Sequence, residues 1–220
     1  MRGVVFDMDG LMFDTERLFV QAWDYAGERA GLGKNGYMVM KTLGSNREAG
    51  RAIWRREFGE RYRQEEVERY TQEFFNRYYQ ENPLPVKKGL RELLAYLKDR
   101  DFRTAVASSS PYEKIMEHLK ETELTGFFDR IVGGDCVSRS KPEPDIYLKA
   151  CSLLGLPPQE CYALEDSRNG LLAASAAGCR TIMVPDLWQP DEEIRTRVCA
   201  VLPDLLEVRE YLKKVHGAPA

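Results

Sequence analysis

The sequence predicts an α/β fold, a doubly wound, Rossmann-like parallel sheet with an α-helical segment inserted near its start. Short apolar runs ending in polar or glycine-rich turns recur between residues 102 and 202, separated by amphipathic stretches of helical length. Such alternation gives parallel strands joined by crossover helices. A further run, Val4-Val5-Phe6, stands near the N-terminus and has the pattern of a strand buried on both faces. Between it and the later strands, residues 15–83 carry helical periodicity and nothing that reads as a strand. The expected organisation is a core domain of residues 1–14 and 84–220 and a helical domain of residues 15–83.

Bulk properties bound the function. A chain of 220 residues with 43% hydrophobic and 30% charged residues can bury a substantial core. Its net charge of −3 gives no electrostatic case for binding nucleic acid or an anionic membrane. No signal peptide is expected, since charge and apolar run are both too short before Asp7, and no apolar run has the roughly 20 residues a membrane span needs. The five cysteines form no C-x-x-C pair, so reduced thiols in a cytoplasmic protein are expected. Only His118 and His216 occur, which removes most histidine-based mechanisms. The expected molecule is a cytoplasmic monomer.

The elements follow in order. After the first strand the chain turns at Asp7-Met8-Asp9-Gly10. Leu18, Ala22, Tyr25 and Ala26 fall at helical spacing, with Gly31 and Gly33 as stops. Asn46-Arg47-Glu48 opens a helix carrying Ile53 and Trp54, and a third runs over about 64–80, with Tyr70, Phe74 and Tyr78 expected to serve packing. Leu90, Leu93, Leu94 and Leu97 mark the first helix of the returning core. A strand over 102–107 ends in Ser108-Ser109-Ser110-Pro111, and a helix follows to about Leu124. After a short strand at Ile131-Val132, Lys141-Pro142-Glu143-Pro144 leads into a helix with Ile146, Ala150, Leu153 and Leu154 on one face. The strand Cys161-Tyr162-Ala163-Leu164 ends in Glu165-Asp166-Ser167, a small-residue helix runs to Gly178, and strands at 181–184 and 200–202 complete the sheet.

In such a sheet the residues just past the strands share one rim, where ligands bind. That rim would collect Asp7, Asp9, Ser108 with its neighbours, Glu165 and Asp166, with Lys141 added from a loop. Residues two apart on an extended chain point the same way, so Asp7 and Asp9 can converge, and close carboxylates call for a cation or a proton between them. Asp7 and Asp166 can hold Mg²⁺. Ser108 can donate to a phosphoryl oxygen, with free backbone N–H groups and a helix N-terminus behind it. Lys141 can supply a positive point charge, and a carboxylate is the candidate nucleophile. Taken alone, each segment has a plainer reading. Asp-x-Asp-Gly fits turn chemistry, the serines fit a helix cap, Lys141 fits a solvated lysine, and Glu165-Asp166-Ser167 fits the start of the next helix. Their order, each at the correct strand end or loop, favours a phosphate-ester site.

With these segments in hand, the chain resembles the haloacid dehalogenase superfamily, in the branch of β-phosphoglucomutase and small sugar- and nucleotide-phosphate phosphatases. The resemblance rests on Phe6-Asp7-Met8-Asp9-Gly10 with Asp14-Thr15-Glu16, Ala107-Ser108-Ser109-Ser110, Lys141-Pro142-Glu143-Pro144-Asp145, and Glu165-Asp166-Ser167 with Gly170. It implies that Asp7 is a nucleophile forming an aspartyl phosphate and Asp9 a general acid and then base, its backbone carbonyl also on the metal. It implies phosphate binding by Ser108, Ser109 and Lys141, and a Mg²⁺ site from Asp7, Asp9 and Asp166, with Glu165 close by or bound through water. Residues 15–83 resemble the family's mobile cap, where Thr15, Glu16 and Arg47 are candidates for substrate contact. A solvent-facing role for Arg47 is equally open.

The expected activity is therefore Mg²⁺-dependent hydrolysis of a small phosphorylated metabolite, a sugar, polyol or nucleoside phosphate. The alternative is a β-phosphoglucomutase-type mutase. Mutases of the resembling family carry a histidine four residues beyond the threonine matching Thr15, and here that position is Phe19, which cannot relay a proton. Asp9 argues against the superfamily's dehalogenases, and the helical insertion argues against a phospho-acceptor module of the receiver type.

Overall fold

A computed structural model describes residues 2–217. In chain order the elements are β1 (Gly3–Phe6), α1 (Thr15–Arg29), α2 (Met38–Thr42), α3 (Arg47–Phe58), α4 (Gln64–Glu81), α5 (Leu90–Asp99), β2 (Arg103–Ala107), α6 (Tyr112–Glu121), β3 (Arg130–Val132), α7 (Asp145–Leu154), β4 (Cys161–Glu165), α8 (Arg168–Ala177), β5 (Arg180–Met183), α9 (Glu192–Arg195), β6 (Ala200–Val201) and α10 (Leu205–His216). The six strands form one parallel sheet in the order β3-β2-β1-β4-β5-β6. The chain winds outward from β1 in both directions, so the switch point lies beside β1, where doubly wound sheets open a crevice for ligands.

β1 is buried along its whole length. Its alternate side chains divide between two cores, because successive residues of a strand face opposite ways. Val4 and Phe6 join the cluster containing the leucines of α5 and Val208 and Leu212 of α10, whereas Val5 joins Ile146, Ala150, Ala173 and Ala174 of α7 and α8. Small residues on α8 let that helix lie close to the sheet. The register pairs Phe6 with Val106 on one side and Leu164 on the other. Carried one residue further, it sets Asp7 level with Ala107 and Glu165.

The helices of residues 15–81 bury a cluster of their own around Ala26, Ala30, Met38, Trp54 and Val67. α1 lies along α4, and aromatic pairs fill the seam, Phe19 meeting Phe75 at 4.9 Å and Trp23 meeting Trp54 at 5.1 Å between centroids. Tyr70 packs against this cluster, and Phe74 stacks on Tyr78, so the aromatic side chains of α4 serve packing.

Two expectations are corrected. On α7, Leu153 is exposed, and the buried stripe instead includes Tyr147 and Cys151 beside Ile146, Ala150 and Leu154. Leucine is as good a helix former at the surface as inside, so its identity alone misplaces the face. The helix after the serine run ends at Glu121, and a single 3₁₀ turn, Thr125–Phe127, follows Leu124.

Candidate active site

The site stands on the carboxyl rim of β1, β2 and β4. Asp7 leaves β1 with its N–H donated to Leu164 O at 3.0 Å, which fixes it against β4. The turn that follows is held by Met12 N–H on Met8 O and Gly10 N–H on Phe13 O, both at 2.9 Å. Gly10 has φ +83°, a left-handed conformation, and a Cβ there would strike the Asp166 carboxylate. Glycine is therefore required twice over, by torsion and by space.

Lys141 is the centre of charge. Its ammonium is buried and donates to Asp7 Oδ1 at 2.5 Å, Glu165 Oε1 at 2.6 Å and Ala107 O at 3.1 Å. Burial pulls its pKa down, but the carboxylates of Asp7 and Glu165 outweigh that and raise it, so the lysine stays charged. Glu165 is fully enclosed. Its Oε1 accepts from Lys141 and from the Tyr147 hydroxyl, and its Oε2 accepts from Ser167 Oγ and the N–H groups of Asp166 and Ser167. Gly170 leaves the room for this, since a Cβ there would collide with the Glu165 carboxylate. Ser167 also caps α8 by accepting from Gly170 N–H at 3.1 Å.

Asp7, Glu165 and Asp166 each bring a carboxylate oxygen within 4.8 Å of the others. Burial pushes the Asp7 carboxyl up to about 8, with Lys141 opposing and Glu165 and Asp9 adding to the rise. Burial, then Glu165 and Asp7, push Asp166 well above the usual carboxylate range. Asp166 Oδ1 is buried with no hydrogen-bond partner among the described residues. Buried acids crowded round one lysine, with an oxygen left idle, fit a hard divalent cation, which prefers oxygen donors and offsets their repulsion.

Asp9 stands apart from that trio. Its Oδ1 accepts from Thr15 Oγ1 and its Oδ2 from Ser110 Oγ, each at 2.8 Å. Ser108 is buried, and its Oγ accepts from Ser110 N–H at 3.0 Å. Ser109 Oγ reaches across to Gly44 O at 3.2 Å, so its hydroxyl meets the helical insertion. Asn169 Nδ2 meets Leu43 O at 3.3 Å from the other side. Of the backbone donors expected at the start of α6, Ser110 N–H serves Ser108 and Tyr112 N–H serves Asp135 Oδ1 at 3.0 Å.

A cavity of about 840 Å³ lies between rim and insertion and is bordered by Asp7, Asp9, Thr15, Glu16, Arg47 and Ser108 among others. Glu16 sits half-buried there, its carboxyl pushed up to about 8 by burial and then by Asp9 and Asp7. Arg47 is largely exposed and pairs with Glu68 Oε2 at 2.6 Å, and Arg51 grips the same carboxylate at 2.7 and 2.9 Å.

Tyr147 and Arg51 stand beside the candidate site and are not among the residues expected there, whereas Ser110 is expected only as part of the Ser108-Ser109-Ser110 run. Tyr147 lies off the α7 face expected to be buried, Ile146, Ala150, Leu153 and Leu154, and no motif distinguishes it. Ser110 comes from the serine run, and the bend there, with Ser110 N–H on Ser108 Oγ, brings its hydroxyl to Asp9.

A buried lysine bonded to two acids of a carboxylate cluster, with a serine loop alongside, has the chemistry of a site for a phosphoryl group. The sequence profile of the haloacid dehalogenase-like hydrolases matches residues 1–178. The chain is 31% identical over 187 residues to a phosphorylated carbohydrates phosphatase of Thermotoga maritima, covering 83% of this chain and 84% of that one. It is 35% identical over 188 residues to hexitol phosphatase B of Escherichia coli K12, covering 82% of each. CbbY from Rhodobacter sphaeroides, solved in complex with phosphate, superposes with a TM-score of 0.76 at 27% identity over 94% of this chain and 96% of that one. The chain belongs to the haloacid dehalogenase-like hydrolase family and is a phosphoric monoester hydrolase.

Proposed function

We propose that the protein is a Mg²⁺-dependent phosphatase of small phosphate monoesters, working through an aspartyl phosphate on Asp7. The observation that carries this reading is the meeting of Asp7, Lys141 and Asp166 from separate segments in one buried volume. Mg²⁺ would be held by Asp7 and Asp166, with the Asp9 carbonyl beside them and Glu165 behind. Bound there, it would neutralise charge on the phosphoryl oxygens.

The remaining steps belong to the chain's own residues. Ser108 would hold the phosphoryl group, with Ser109 as a further candidate, and Lys141 would attract it by charge, exchanging one of its three present acceptors for a phosphoryl oxygen. Lys141 already occupies Asp7 Oδ1, so Oδ2 is the oxygen proposed to attack phosphorus. The P–O bond to the leaving group breaks as Asp9 gives its proton to the departing oxygen. Asp9 then takes a proton from water, the water oxygen bonds to phosphorus, and the bond to Asp7 breaks. Thr15 and Ser110 orient Asp9 for both transfers.

Residues 15–83 are proposed to act as a cap that closes over the cavity and selects the leaving group, with Glu16 and Arg47 among its contacts. The relatives named for phosphorylated carbohydrates and hexitols support a sugar or polyol phosphate as the substrate class. Against a mutase stands Phe19, whose ring is packed between Trp23 and Phe75 and offers no proton relay to an accepting hydroxyl. Phosphate release across sugar, polyol and nucleoside phosphates, with Mg²⁺ and with chelator, tests the reading. Mg²⁺-dependent release from sugar or polyol phosphates is expected; interconversion of hexose 1- and 6-phosphates faster than release would overturn it.

A further inference from the structure

His118 on α6 is unexplained by the chemistry above. It is 3% exposed, and neither Nδ1 nor Nε2 has a hydrogen-bond partner among the described residues. Buried polar groups are nearly always paired, and an idle pair of ring nitrogens is costly to maintain. The imidazole packs at right angles to Phe13, the ring centroids 5.5 Å apart and the planes at 88°. The residue also borders the cavity that holds Asp9. Burial holds its pKa below the usual histidine value, against the pull of Asp9, so the ring is neutral, with one donor and one acceptor. The charged groups acting on it are Asp9, Lys114, Glu117 and Glu121. Asp9, Glu117 and Glu121 also act on Tyr79, which borders the cavity from α4. His118 from the core and Tyr79 from the insertion thus border the same cavity as Asp9.

If Asp9 protonates the leaving oxygen, the carbon chain of the alcohol must lie next to it. We propose that His118 is a specificity-determining residue whose neutral imidazole hydrogen-bonds a hydroxyl of that alcohol, selecting polyhydroxylated leaving groups over aryl ones. The inference rests on the phosphatase reading and deepens it. A hydroxyl both donates and accepts, as does a neutral imidazole. Both ring nitrogens are shielded in this fold, so the pairing includes a turn of the ring about its soft outer torsion toward the cavity it borders. A site built to pair a substrate hydroxyl discriminates strongly against analogues that lack it.

The test compares kcat/KM for a hexitol phosphate and for p-nitrophenyl phosphate, with Mg²⁺, in the wild type, His118→Leu and His118→Gln. The hexitol-to-aryl ratio is expected to fall about tenfold or more in His118→Leu, and His118→Gln is expected to recover at least about a third of it. A ratio unmoved in His118→Leu, both substrates slowed equally, or a glutamine no better than leucine would overturn the proposal and leave His118 as packing against Phe13. Should His118→Leu fail to fold, His118→Phe keeps the edge contact and is read the same way. A wild type inactive on every ester would overturn the phosphatase reading and this inference with it. That failure is distinguishable because it shows before any substitution.

Discussion

Glu165 Oε1 lies 2.6 Å from Lys141 Nζ, with both side chains sealed from solvent. The glutamate has no oxygen to spare, since Tyr147, Ser167 and two backbone N–H groups take the rest. It serves as the anchor that aims the lysine at Asp7. Glu165→Ala would leave a buried ammonium with one carboxylate fewer and strand the Tyr147 hydroxyl. Removing one partner of a buried pair costs about 3–5 kcal/mol. Equilibrium denaturation is expected to show a loss of that size, and a loss below about 1 kcal/mol would contradict the anchoring role.

Thr15 and Ser110 grip the two oxygens of Asp9 from opposite sides, one from the first turn of α1 and one from the loop after β2. Thr15→Val keeps the shape of the side chain and removes the donor. The expected result is a fall in kcat of about tenfold with KM little changed, because the acid is misaimed while phosphate binding persists. Ser110→Ala should act likewise, and the double variant should lose less than the product of the two. A change confined to KM would place these hydroxyls in substrate binding instead.

Gly10→Ala tests the turn. Alanine at φ +83° is strained, and its methyl would press on the Asp166 carboxylate. The expectation is a stability loss of at least about 1 kcal/mol together with a raised Mg²⁺ requirement. Unchanged Mg²⁺ dependence would show that Asp166 does not hold the ion.

The acid cluster ties stability to pH. Asp7 and Glu16 have ordinary values of 3.8 and 4.5 and are pushed up to about 8 in the folded, metal-free chain. Folding therefore holds protons that the unfolded chain gives up. The stability from these groups is fully present below their ordinary values and is lost as pH rises through 8. Bound Mg²⁺ would remove that loss, so the rise in Tm on adding Mg²⁺ should be larger at about pH 9 than at about pH 6. An equal or smaller rise at the higher pH would contradict the cluster as the metal site.

The sheet and the acid motifs were legible because buried parallel strands and strand-end carboxylates leave local patterns. Val4-Val5-Phe6 followed by Asp7 is one, and Cys161 to Asp166 is another. α2 was not legible: its five residues, Met38–Thr42, are too few for periodicity to register. Tyr147 and His118 were missed for a different reason. Neither stands in a motif that announces a polar partner, and only the fold brings Tyr147 to Glu165 and His118 to the cavity. Asp135, which accepts from Tyr112 N–H at the start of α6, comes from a turn that gave no sign of its target.

The central claim is that the phosphoryl group passes through Asp7. Rapid acid quench of the enzyme during turnover of a sugar phosphate with Mg²⁺, followed by peptide mass spectrometry, tests it most directly. A phosphoryl adduct on the peptide carrying Asp7, absent from Asp7→Asn, whose turnover falls by on the order of 10³-fold or more, is the expected result. An adduct on another residue, or full turnover by Asp7→Asn, would contradict it.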